Sequence, residues 1–152
     1  MKIIIIAVGR IGKDAESDLV ERYIKRCPWN TTIIEVEERR PIKGDERKAR
    51  EGDKILSAIP NGAHVMALDE HGKVFSSVEF AQKIENWQGQ SINTIVFIIG
   101  GADGLDARVL DKANGKMAFG KMTWPHMMVR SMLAEQIYRA STIIAGHPYH
   151  KV

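Results

Sequence analysis

The chain has 152 residues, 44% of them hydrophobic and 27% charged, with a formal net charge of +3. Those proportions suit one globular domain of ordinary size, residues 1–152, and exclude a collagen-like repeat or an intrinsically disordered chain. A lone cysteine, Cys27, excludes an intramolecular disulfide framework, and the longest apolar run, Ile3 to Val8, is far short of the roughly 20 residues a membrane span needs.

Residues 2–8 (KIIIIAV) form a β-branched apolar run that reads as a strand buried on both faces. The run passes directly into Gly9, Arg10 and a charged helical pattern, with no small-residue cleavage site, so it is not read as a signal peptide and the expected compartment is the cytoplasm. The spacing predicts a helix from Asp14 to Arg26, closed by Cys27-Pro28, then a strand over 31–36. A polar loop with Pro41 leads to a charge-laced helix over 45–59, ended by Pro60-Asn61-Gly62. A third strand spans 64–68, and Asp69-Glu70-His71-Gly72 reads as a turn. Ser76 and Glu79 have the spacing of a capping box that opens a helix to about Trp87. The most apolar strand follows over 93–99, then Gly100-Gly101-Ala102-Asp103-Gly104, a short helix over 106–113 and a short strand over 116–119. Pro125 at a first helical turn begins a long helix from Met127 to Ile144, ended by Gly146. Strand and helix alternate without a linker, an internal repeat or a low-complexity stretch. That order predicts an α/β fold with a mainly parallel sheet and helices on both faces.

Charge is spread unevenly. Residues 107–152 hold seven Lys and Arg against Asp111 and Glu135, whereas the first 106 residues carry a net −2. A basic C-terminal third points to a polyanionic partner or, more blandly, to a solvated face.

Ligands of parallel α/β sheets sit at the carboxyl ends of strands, near a topological switch. Three loops occupy that position: Gly9–Gly12, Leu68–Gly72 and Gly100–Gly104. Gly9-Arg10-Ile11-Gly12 lacks the G-x-G-x-x-G pattern of a dinucleotide loop and reads as a tight turn. Gly100–Gly104 allows either close approach to a ligand or a strand-to-helix turn with Asp103 as a cap, and it lacks the G-K-[ST] of a phosphate loop. His147 and His150 have no carboxylate partner nearby, so no metal is expected. Tyr149 and His150 suit stacking on a base, and Lys151 suits phosphate. The methionines of KMTWPHMMVR (121–130) read as core or interface filler.

The segments IIGGADGL (98–105), KMTWPHMMVR (121–130), LAEQIYRA (133–140) and HPYHK (147–151), with the opening KIIIIAVG, resemble the small SPOUT methyltransferases of the ribosomal RNA large subunit methyltransferase H family. The resemblance runs in order along nearly the whole chain. It implies a C-terminal trefoil knot, which general rules of chain threading would never propose. It implies a homodimer with the active site between protomers, no membrane attachment, and S-adenosylmethionine as methyl donor with no metal. It implies methylation of N3 of a pseudouridine in helix 69 of 23S rRNA on assembled 70S ribosomes. The cofactor pocket it implies comprises Leu68, Gly100, Gly101, Phe119, Gly120, Lys121, Met122, Thr123 and Trp124. His126, Arg139, Tyr149 and His150 match positions expected to face the target nucleotide. This chain ends at Val152 where relatives often carry a charged last residue.

A sulfonium is already a strong methyl donor, so the protein's main task is positioning. The N3 proton must leave, and His150 or His126 is the expected acceptor, with Tyr149 stacking and Arg139 holding phosphate or the base carbonyls. Two rival readings stand beside this one. A non-catalytic RNA- or ribosome-binding module of the same fold would bind RNA without cofactor. A nicotinamide enzyme built on Gly9–Gly12 is weakened by its missing third glycine.

Overall fold

In the computed structural model, which describes residues 1–151, strands and helices alternate through the chain. They are β1 (Lys2–Val8), α1 (Ala15–Arg26), β2 (Asn30–Val36), α2 (Gly44–Ala58), β3 (His64–Val74), α3 (Ser77–Gly89), β4 (Thr94–Ile99), α4 (Ala107–Lys112), β5 (Gly115–Ala118) and α5 (His126–Ile144). The five strands form one sheet in the order β2-β1-β4-β3-β5, and every neighbouring pair is parallel. The central strands β1 and β4 are apolar on both sides because both faces are covered, as their unbroken isoleucine and valine runs require.

One face packs Ile3, Ile5, Phe97 and Ile99 against Phe80 and Ile84 of α3 and Leu133 and Ile137 of α5. The other face packs Ile4, Ile6, Val96 and Ile98 against Ile55 of α2 and Val109 of α4. The sheet with helices on both faces is therefore as the sequence order predicts. After β1 the chain turns to one face, and after β4 it turns to the other. That divergence places the topological switch between β1 and β4, and the loops at the carboxyl edge of the sheet lie where ligands of open α/β sheets bind.

Local chemistry sets the helix starts. Asp14 caps α1 by accepting the Ser17 N–H at 3.1 Å. At α3 the expected capping box forms: the Glu79 N–H donates to Ser76 Oγ at 3.1 Å and the Ser76 N–H donates to Glu79 Oε2 at 2.7 Å. At α4 the cap is Asp106, which accepts from the Arg108 N–H at 2.8 Å, not Asp103.

The structure corrects the sequence reading at residues 69–74. Asp69–Gly72 is not a turn after a five-residue strand. β3 continues through a bulge between Leu68 and Lys73 and then pairs again with Met117 and Ala118 of the edge strand β5. Gly72 crosses so close to β5 that a Cβ there would lie 2.5 Å from the Met117 backbone. The irregularity was invisible in the sequence because a glycine beside polar residues marks a bulge and a turn alike.

The largest fully buried side chain among the described residues is a cation. Arg130, in the second turn of α5, is fully buried. Its Nη1 donates to Glu35 Oε2 of β2, and its Nη2 donates to the carbonyls of Gly9 at 3.1 Å and Val8 at 3.4 Å. The same Glu35 oxygen accepts the Ile11 N–H at 2.7 Å. Burial pushes the Glu35 carboxyl up, but the Ile11 N–H and the Arg130 guanidinium outweigh it and hold the carboxyl below its ordinary range. Glu35 keeps 34% of its side chain exposed, so removing Arg130 returns that carboxylate to water but takes a donor from the Val8 and Gly9 carbonyls, at a cost of about 1–3 kcal/mol for an unmet buried polar group. Arg130→Met is accordingly expected to lower the free energy of unfolding by about that amount in urea titrations. Because the Glu35 pKa is depressed in the folded state, its contribution is present at neutral pH and is lost as the pH falls below the ordinary carboxylate range. Glu35→Gln should therefore flatten the acid limb of a stability-against-pH curve.

Candidate active site

A cleft of about 350 Å³ lies at the carboxyl edge of β3, β4 and β5. Leu68, Asp69 and Glu70 form one wall, Gly100 to Leu105 a second, and Phe119, Gly120, Met122, Thr123 and Trp124 a third. His126 and Val129, from the first turn of α5, close one end. Eight of the nine expected cofactor residues meet here. Lys121 does not: it is exposed and does not line the cleft. Asp69 and Glu70, from the candidate loop Leu68–Gly72, also line it, as does Val129, to which no sequence signal pointed.

The second and third walls are held by specific contacts. The glycine loop is tied to α2 through Arg47, whose Nε donates to Asp103 Oδ2 at 2.6 Å. Behind the loop a Cβ on Gly101 would lie 2.9 Å from Val8 Cγ1 and 3.3 Å from Glu51 Oε2, and one on Gly100 would lie 3.0 Å from Leu105. The glycines are thus required first by the packing of the loop on its own protein. Glu51 is buried there, and burial pushes its carboxyl up. The third wall turns at Gly120, whose φ of +107° is accessible to glycine and costly for other residues. The Trp124 indole N–H donates to the Phe119 carbonyl at 3.2 Å and folds this wall back on itself.

The expected nucleotide-facing residues divide into two groups. His126 sits in the cleft, and its Nε2 would be 3.9 Å from a Cβ on Gly9. The Gly9–Gly12 turn is therefore a neighbour of the cleft without lining it. Arg139 lies thirteen residues further along α5, about 20 Å away at the helical rise. It forms a separate cluster with Tyr149 and His150. Arg139 Nε donates to Glu135 Oε1 at 2.9 Å, and Tyr149 Oη donates to the same oxygen at 2.9 Å. Arg139 Nη1 donates to His150 Nδ1 at 3.1 Å. The Arg139 guanidinium lies 4.8 Å from the centre of the Tyr149 ring, whose other neighbour is Tyr138 with centroids 4.8 Å apart. Burial, with hydrogen bonds to Tyr23 and Glu135, pushes the Tyr149 phenol up, so it remains a donor at neutral pH. Glu135 was missed by the sequence reading. Its signal was the i, i+4 spacing with Arg139 on one helix.

One chain therefore brings His126 to the cleft but does not bring Arg139, Tyr149 and His150 to it. Among the described residues no group of three or more His, Cys, Asp or Glu could hold a metal ion, and no helix is long and apolar enough to cross a membrane.

The donor set fits an adenosine-based sulfonium cofactor: a glycine-rich backbone wall, Phe119 and Trp124 for a flat ring, and Asp69 and Glu70 for positive charge. Comparisons with known proteins agree with that chemistry. Residues 1–150 match the family described as "Predicted SPOUT methyltransferase". Proteins named ribosomal RNA large subunit methyltransferase H are similar along their whole length. Those of Rhodospirillum centenum and Paramagnetospirillum magneticum are 49% and 44% identical over 151 residues, 99% of each chain. That of Zymomonas mobilis is 47% identical with the same coverage. A solved probable methylase family protein from Haemophilus influenzae superposes with a TM-score of 0.58 at 12% identity, covering 99% of this chain and 70% of that one, and so shares the fold.

The crowding behind Gly101 makes a definite prediction. Gly101→Ala must displace either the loop or Val8, and should weaken S-adenosylmethionine binding by at least tenfold, about 1.4 kcal/mol, in a calorimetric titration. Lys121→Ala, outside the cleft wall, should leave that affinity within about twofold.

Proposed function

The chain belongs to the SPOUT methyltransferase family, and from that premise we propose that it is an S-adenosylmethionine-dependent 23S rRNA methyltransferase acting on N3 of a pseudouridine in helix 69 of assembled 70S ribosomes. The observation that carries this reading is the cleft, which gathers eight expected cofactor residues from three separate loops. Full-length relatives named for large-subunit rRNA methylation support the substrate class. The family's trefoil-knotted C-terminal threading belongs to the same reading, as does a cytoplasmic setting beside the ribosome.

The roughly 20 Å between His126 and Arg139 supports a homodimer with shared sites. In that arrangement the cleft of one protomer meets the Arg139, Tyr149 and His150 cluster of its partner. Met122, Trp124 and Met128 leave apolar surface beside the cleft, as a protomer interface there requires.

S-adenosylmethionine, when bound, supplies an activated methyl group whose bonding pair to carbon stays on sulfur as the methyl leaves. The protein's residues do the rest. Leu68, Gly100, Gly101, Phe119, Gly120, Met122, Thr123 and Trp124 would hold the donor, and Asp69 and Glu70 would supply negative charge for its sulfonium. Arg139, Tyr149 and His150 of the partner subunit would hold the base at the cleft and so supply the positioning the transfer needs. His126, the one histidine that lines the cleft, takes the N3 proton on a ring nitrogen, and the N3 pair forms the new N–C bond.

Purified protein with labelled S-adenosylmethionine should label helix 69 on 70S ribosomes from a strain lacking this activity, and not free 23S rRNA. Cofactor binding with no transfer to any RNA would select the non-catalytic RNA-binding module instead. His126→Ala should lower kcat by about 10²–10⁴-fold with cofactor affinity retained. The shared site is tested by subunit mixing. Trp124→Ala and Arg139→Ala are each expected to be inactive alone. A randomised mixture should recover about a quarter of wild-type activity, because half the dimers then hold one intact site of two.

A further inference from the structure

The contacts inside the tail cluster fix which way its protons point. A guanidinium has five N–H donors and no acceptor, and it stays protonated. The contact of 3.1 Å between Arg139 Nη1 and His150 Nδ1 therefore uses the lone pair of His150 Nδ1. A neutral imidazole has one lone pair and one N–H, so the His150 proton sits on Nε2. Glu135 sets this arrangement from behind. Its Oε1 receives Arg139 Nε and Nη2 together with the Tyr149 hydroxyl, and its Oε2 receives Gln136 Nε2. Glu135 and Arg139 are mostly buried, with 18% and 25% of their side chains exposed, so the pair holds one geometry. The Tyr149 hydroxyl donates inward to Glu135 rather than outward, and the backbone N–H of Tyr149 donates to His147 Nδ1 at 3.1 Å, which braces the tail.

We propose that Glu135 is a positioning residue for methyl transfer: through Arg139 it locks His150 as a hydrogen-bond donor at Nε2, so that His150 binds a carbonyl oxygen beside the target nitrogen and does not remove its proton. The proposal deepens the reading of this protein as an rRNA methyltransferase and rests on it for the identity of the substrate. Loss of the N3 proton to His126 leaves negative charge shared between N3 and the two flanking carbonyl oxygens of the base. A donor held at one of those oxygens stabilises that charge as it builds, which a group that had to accept a proton could not do. The lone pair such a base would need is already bound to a cation.

The test separates a donor from a base with paired variants of the full-length protein. A glutamine side chain carries an N–H close to the place of His150 Nε2 but cannot take up a proton, so His150→Gln should keep kcat within about tenfold of wild type, while His150→Ala should lose 10²-fold or more. Glu135→Gln should lower kcat on 70S ribosomes by at least tenfold and leave the affinity for S-adenosylmethionine unchanged. A second readout needs no activity. Nitrogen-15 NMR of histidine-labelled protein should show His150 with its proton on Nε2, and the Nδ1-protonated form should grow in Glu135→Gln. The proposal is overturned if wild-type His150 carries its proton on Nδ1, if His150→Gln is as inactive as His150→Ala, or if Glu135→Gln keeps full kcat. If the wild type transfers no methyl group while the tautomer is as stated, the lock on His150 stands and the assignment of the reaction fails. If transfer is normal and the tautomer is reversed, the reaction stands and the proposal fails.

Discussion

The Arg130–Glu35 contact ties the C-terminal helix to the start of the chain. Arg130 enters the structure from α5, and the hydrogen-bond partners of its guanidinium lie in the first 35 residues: the Val8 and Gly9 carbonyls at the end of β1 and the Glu35 carboxylate of β2. A fully buried guanidinium tolerates little displacement, because its desolvation is offset only while its carbonyl and carboxylate partners stay in place. The first turn of α5 is therefore fixed against the carboxyl edge of the sheet. That turn carries His126 and Val129, which close the cleft. The Gly9 turn is fixed by the same contact, since Arg130 holds its carbonyl and Glu35 holds the Ile11 N–H.

The rest of the cleft follows the same logic of loops anchored from behind. Arg47 of α2 holds Asp103, and Val8 and Glu51 press on Gly101. Trp124 folds the third wall onto Phe119. None of these anchors needs a ligand in place, so the cleft is built before anything binds. Preorganisation of that kind lowers the ordering cost of binding and leaves the binding energy for positioning. At the far end of α5, Glu135 plays for Arg139, Tyr149 and His150 the part that Glu35 plays for Arg130. One carboxylate gathers several donors and fixes the direction of each.

The uneven charge also takes on a different meaning in three dimensions. The C-terminal third is basic by count, yet Arg108, Arg130 and Arg139 are each held by carboxylates at Asp106 and Asp53, at Glu35, and at Glu135. These arginines build the fold and the site, and the positive charge left on this third is carried by Lys112, Lys116, Lys121 and Lys151 against Asp111. A net charge of only +3 per protomer gives little nonspecific attraction to phosphate, so recognition depends on shape.

The sequence by itself determined the order of elements, the parallel sheet and the capping box of α3. Alternation of β-branched runs with amphipathic stretches is a local signal, and so is the Ser76–Glu79 pair. It also marked the glycine loop as a loop of consequence and, through resemblance, named eight of the residues that meet in the cleft. Tertiary structure decided what depends on contacts between distant residues. Nothing in the local sequence marks Arg130 for burial, and only its contact with Glu35, 95 residues away, gives it a role. The bulge in β3 exists because β5 pairs with it twice, across a register shift that no local pattern encodes. Lys121 sits in the right loop but leaves the cleft wall, because a residue's direction within a loop is set by the backbone turn at Gly120 and not by its neighbours in sequence. The division of the nucleotide-facing residues into two groups was likewise hidden, since a motif states which residues belong together and a helix of fixed rise states how far apart they lie.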